Sequence, residues 1–72
     1  MNTASYVEYF ESMASKVLLS NSFDEAKDYL GFYLGALGFV QRFDLFETIE
    51  DKNRCDEMLQ KLVTFVETYN EN

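Results

Sequence analysis

The side chains of this chain that could carry chemistry are thirteen carboxylates and one thiol, because the 72 residues include no histidine. Hydrolysis by paired carboxylates needs two acids facing each other across a cleft. Glu8, Glu11, Glu47 and Glu50 fall instead on the polar sides of amphipathic stretches. A carboxylate-bridged di-iron bundle needs Glu-x-x-His on its helices, which a chain without His cannot supply. Asp51, Asn53 and Cys55 match the opening spacing of a calcium loop, but Asp56 stands where that loop needs glycine and Leu62 where it needs glutamate. Cys55 has no histidine to deprotonate it and lies on an apolar helix face, the setting of a packed thiol. Gly31, Gly35 and Gly38 stand at helical spacing without a neighbouring Lys-Ser or Lys-Thr, so they do not read as a phosphate loop. The sequence therefore predicts no catalytic residue, no cofactor, no metal site and no enzyme.

Carboxylates can also act by charge alone. Six bases against thirteen acids give a net charge of −7, and Lys16, Lys27, Arg42, Lys52, Arg54 and Lys61 are scattered. Contact with phosphate needs a clustered basic surface, so no direct nucleic-acid binding is expected. The densest acidic group is Asp44, Glu47, Glu50, Asp51, Asp56 and Glu57, six acids in fourteen residues interrupted by Lys52 and Arg54. Acids three or four residues apart on a helix lie about 5–6 Å from each other, near the spacing of backbone phosphates. The group reads first as the solvated end of a helix and a turn, and second as a surface that recognises a basic partner.

The elements that must position these residues are helices. The chain has no Pro and only three Gly, which disfavours a turn-rich β architecture. An apolar content of 47%, with 17% aromatic residues, separates it from disordered acidic tails. A domain of this size buries only about 60% of its unfolded surface and usually needs a staple. One cysteine cannot form an internal disulfide, and one Cys with no His does not make a zinc site, which leaves self-association.

Ser5 to Glu8 and Ser22 to Glu25 both match a capping box, in which the Ser hydroxyl accepts from a backbone amide three residues on. Apolar spacing then predicts a single all-α domain over residues 1–72, a three-helix hairpin-like bundle with helices at about 6–19, 23–49 and 54–69. Glu50 to Asn53 form the expected last connector, with Asn53 and Asp56 as caps, and Asn70 to Asn72 a polar end. The middle helix would be roughly 40 Å long. Its rival form stops at Gly38 and restarts after Asp44, giving four helices.

That middle helix is apolar nearly all round. Leu30, Tyr33, Leu34 and Leu37 make one face, while Tyr29, Phe32, Ala36, Phe39, Phe43 and Phe46 make another at the three-and-four step of a coiled-coil seam. Two flanking helices cannot cover both faces, so a homodimer is expected. The glycine stripe suggests close approach of another backbone: first a tight contact with a flanking helix, otherwise a groove for a partner or second copy. The expected oligomer or partner interface is Tyr29, Gly31, Phe32, Gly35, Phe39, Phe43 and Phe46.

No basic segment followed by an apolar run opens the sequence, no lipidation motif is present, and the longest uncharged stretch, Tyr29 to Gln41, is too short to span a bilayer. The expectation is a cytoplasmic, non-enzymatic interaction protein that binds or regulates a protein partner as a homodimer. The alternatives are an acidic inhibitor of the mobile-element type, which mimics DNA and blocks a host protein's nucleic-acid site, and a small subunit or assembly factor of a larger complex.

Overall fold

Three helices account for nearly all of residues 3–69, the part described by the computed structural model: α1 (Thr3–Leu18), α2 (Phe23–Arg42) and α3 (Ile49–Tyr69). Among the described residues there is no strand. The second start signal acts as expected. Ser22 is extended, with φ −151° and ψ 160°, and its hydroxyl accepts from the Glu25 amide at 3.1 Å. Asp24 and Glu25 place negative charge in the first turn, where the helix dipole favours it. The first start signal does not set its helix boundary. The backbone is already helical at Thr3, ahead of Ser5, whose side chain is outside the described atoms, as is the polar end at residues 70–72.

The middle helix departs from expectation at its far end. It runs unbroken through Gly31, Gly35 and Gly38, so Gly38 is not a terminator, and it stops at Arg42 rather than near Ile49. The stop is made by Asp44, which adopts the left-handed conformation (φ 52°). The Asp44 amide donates to the Gln41 carbonyl at 3.2 Å, and the Leu45 amide to the Val40 carbonyl at 3.0 Å. These two bonds form a Schellman closure with aspartate in the position glycine usually takes. Aspartate tolerates that conformation better than most residues, which is why composition alone did not flag it.

The last helix begins earlier than the polar connector suggested. Thr48 is its cap: the hydroxyl accepts from the Asp51 amide at 3.1 Å, with Glu50 and Asp51 in the first turn. Glu50 to Asn53 are therefore helical, and neither Asn53 nor Asp56 caps anything. The pair Thr48 and Asp51, three residues apart, was the legible signal.

Connections of four and six residues, at 19–22 and 43–48, make the chain run up, down and up. The Tyr69 hydroxyl lies 3.4 Å from the Ser20 carbonyl, so α3 ends beside the α1–α2 turn. Each helix packs on both others in a body of 39 × 17 × 17 Å. The core takes one stripe from each helix: Val7, Phe10, Met13 and Val17; Ala26, Tyr33, Leu37 and Val40; Cys55, Leu62 and Val66. At its centre the buried Tyr33 hydroxyl donates to the Cys55 carbonyl at 2.7 Å, and the Phe10 ring lies 5.0 Å from the Tyr33 ring. No helix among the described residues is long and apolar enough to cross a membrane.

Relieving the left-handed strain should be visible in stability. Asp44→Gly is expected to raise the melting temperature, by up to about 1 kcal/mol in stability, while Asp44→Val lowers it. Thermal melts of the two variants check this; a Val variant as stable as the parent would remove Asp44 as the helix terminator.

Candidate interaction surface

A helix packed in a three-helix bundle buries one side, and α2 buries Ala26, Tyr33, Leu37 and Val40. The 100° step per residue puts Asp24, Asp28, Gly31, Gly35, Gly38 and Arg42 along the opposite line, and all six are exposed. Phe32, Phe39 and Phe43 flank this line on one side with 62%, 57% and 58% of their surface exposed, and Leu34 stands on the other. The Phe39 and Phe43 rings, one turn apart, are in contact at 4.8 Å between centroids, tilted by 48°. No charged residue interrupts the face between Asp28 and Arg42.

Five of the seven expected interface residues, Gly31, Phe32, Gly35, Phe39 and Phe43, thus share one exposed face. The other two do not. Tyr29 is half-buried beside α1, with the Lys16 ammonium 5.9 Å from its ring centroid. Phe46 is not on α2 at all. Closure at Asp44 ends the seam, and the turn carries Phe46 inward to within 6.2 Å of the Phe10 ring.

The glycines also correct an expectation. A Cβ built at Gly31, Gly35 or Gly38 would meet nothing within 4 Å, so no flanking helix makes the tight contact foreseen for them. Within one chain these glycines weaken α2 and gain no packing in return.

The acidic group is spread over several directions. Asp44 closes α2, Glu47 lies in the turn, and Glu50 and Asp51 occupy the first turn of α3. Asp56 is engaged: one carboxylate oxygen pairs with the Lys52 ammonium at 3.0 Å and the other accepts from the Gln41 amide at 3.2 Å, joining α3 to the end of α2. Glu50, Arg54, Glu57 and Lys61 follow one another at steps of four, three and four, so signs alternate along that exposed line. Arg54 also reaches Glu11 on α1 at 3.3 Å.

Cys55 is fully buried. Burial, reinforced by the nearby carboxylates of Asp51 and Asp56, pushes its thiol up to about 11, far from a nucleophile's range. Burial likewise lifts the Tyr33 hydroxyl well above the ordinary tyrosine range. Both groups are core components held in their neutral forms. A cleft of about 300 Å³ opens beneath the α2–α3 turn, among Asp44, Glu47, Ile49 and Lys52, and one of about 240 Å³ lies between α1 and α3 at Leu18, Met58 and Lys61.

Comparison of the chain with known protein families, curated proteins and solved structures found no match.

Two measurements check this description. At protein concentrations low enough to keep the chain monomeric, each of Gly31→Ala, Gly35→Ala and Gly38→Ala should stabilise it by about 0.5–1 kcal/mol, because alanine restores helix propensity in open space. A loss of stability would mean that the stripe is covered. For Cys55, the folded thiol ionises at about 11 against an ordinary 9, so its contribution is complete below pH 9 and is lost as pH rises from 9 towards 11. The melting temperature should fall across that window less steeply in Cys55→Ala than in the parent; equal slopes would contradict the burial effect.

Proposed function

We propose that this chain is a small non-enzymatic protein–protein interaction module that works through the outer face of α2, self-associates there and by that route binds or regulates a larger partner. The observation carrying this reading is the set of exposed phenylalanines, Phe32, Phe39 and Phe43, beside glycines that no part of the chain approaches. Large apolar side chains clustered on an uncharged face are costly to leave in water, and glycine at three successive positions of closest approach lets a second backbone come near. More than half of each ring's surface lies in water, and its burial is the apolar gain that association of two such faces draws on. The acids support partner recognition less strongly, because Asp56 is already engaged and the exposed line on α3 alternates in sign.

Sedimentation or light scattering tests the reading. The parent chain should self-associate at micromolar concentration. Phe39→Asp should sediment as the 8.4 kDa monomer with its melt shifted by only a few degrees, since the ring it replaces lies outside the core. The triple glycine-to-alanine variant should be more stable yet associate more weakly, because three added methyl groups separate the backbones. A parent that stays monomeric at about 100 μM, far above the micromolar scale, would overturn self-association.

A further inference from the structure

Resting on the reading of the α2 outer face as a contact surface, we infer that its occupant is a second copy of this chain lying antiparallel, with Arg42 of each copy set against Asp24 and Asp28 of the other. The line Asp24, Asp28, Gly31, Gly35, Gly38 and Arg42 repeats at steps of four and three, the seven-residue repeat with which one helix follows another. Its charge is arranged end to end: two acids at the amino end, one base at the carboxyl end, and none over the thirteen residues between Asp28 and Arg42. Among the described residues, none of these three charged side chains has an ion-pair partner within the chain.

A face with that polarity is complementary to itself in one orientation only. Gly35 lies seven residues from Asp28 and seven from Arg42, about 10 Å along the axis in each direction. A two-fold axis midway between the two helices, perpendicular to them and at the level of Gly35, therefore brings Arg42 of one copy level with Asp28 of the other, within a side chain's reach of Asp24. Both ends of the contact are closed in this way by one symmetry operation. The same operation keeps the phenylalanine flanks of both copies on one side of the pair and sets Phe39 of one copy one residue from the level of Phe32 of the other, bringing the two rings together. The helix dipoles oppose one another in this arrangement, which is their favourable sense. A parallel pairing would instead place acids against acids and Arg42 against Arg42, with the two phenylalanine flanks on opposite sides. At a net charge of −7 per chain, a contact between copies is disfavoured wherever acids meet, and the uncharged stretch of α2 with its oppositely charged ends avoids this.

Charge reversal tests the orientation by analytical ultracentrifugation of the full chain, with circular-dichroism melts as a check on folding. Arg42→Glu and Asp28→Arg should each weaken self-association by about tenfold, since each leaves like charges facing at both ends of the pair. An equimolar mixture of the two variants should regain the parent's affinity, because one copy then carries Arg at both ends and the other only acids. The double variant D28R/R42E should also recover. If both single variants associate as tightly as the parent, the antiparallel pairing is overturned while self-association stands. If the single variants weaken and neither the mixture nor the double variant recovers, the face binds something other than an antiparallel copy. A monomeric parent removes the underlying reading of the face, an outcome separate from both.

Discussion

Everything in this fold is arranged around a hydrogen bond from the Tyr33 hydroxyl to the Cys55 carbonyl, with the Phe10 ring packed beside it. It ties all three helices together across a body only 17 Å wide. The acceptor belongs to a helical peptide unit whose second lone pair is otherwise idle, so the bond satisfies a buried hydroxyl without removing a bond from α3. A tyrosine there fills the volume of a large apolar residue and fixes the height of α3 against α2, which a leucine could not do. In a chain with a single cysteine and no cluster of metal-ligand side chains among the described residues, this constraint selects one register among several that a generic apolar stripe would allow.

The same constraint decides which side of α2 is left over. Once Tyr33 points at Cys55, Leu37 one turn away and Ala26 and Val40 two turns away must also face the core, and the line through Gly31, Gly35 and Gly38 must face away. The outer side then holds three glycines and three phenylalanines, a composition unfavourable for an isolated helix on both counts. Glycine lowers helix propensity, and exposed Phe loses apolar burial. Two unfavourable features on one surface have a single physical explanation if that surface is covered in use.

How much of this was legible in the sequence follows from which signals are local. Helix spacing and the cap at Ser22 are local, and they placed α2's start and the faces of α1 and α3. The Schellman closure at Asp44 is also local but written in an unusual letter, since aspartate rather than glycine takes the left-handed position. Apolar spacing without it carries α2 on to Ile49 and draws Phe46 into a seam it does not belong to. The remainder is not local. Nothing in the spacing of Phe39 and Phe46 says that one ring faces solvent and the other meets Phe10, because a turn of six residues separates their fates. The glycine stripe was visible as a pattern, whereas the open space around it depends on where two other helices lie.

Net charge and surface chemistry also separate once positions are known. A value of −7 suggests a protein that works by charge, yet the acids mostly serve the fold: Asp24, Glu25, Glu50 and Asp51 sit at helix starts, Asp44 ends α2 and Asp56 ties α3 to Gln41. Each of these roles uses a carboxylate where a backbone amide, a left-handed turn or an ammonium favours it, and none requires a partner. Charge neutrality, by contrast, is concentrated where such roles are absent, over the thirteen residues from Tyr29 to Gln41. In a chain this acidic, an uncharged stretch of that length, with exposed phenylalanines on its outward side, is the feature that the needs of the monomer leave unexplained. Acidity elsewhere has a complementary effect: it disfavours contact between copies wherever acids meet, and the proposed contact uses the face that carries no charge over its middle.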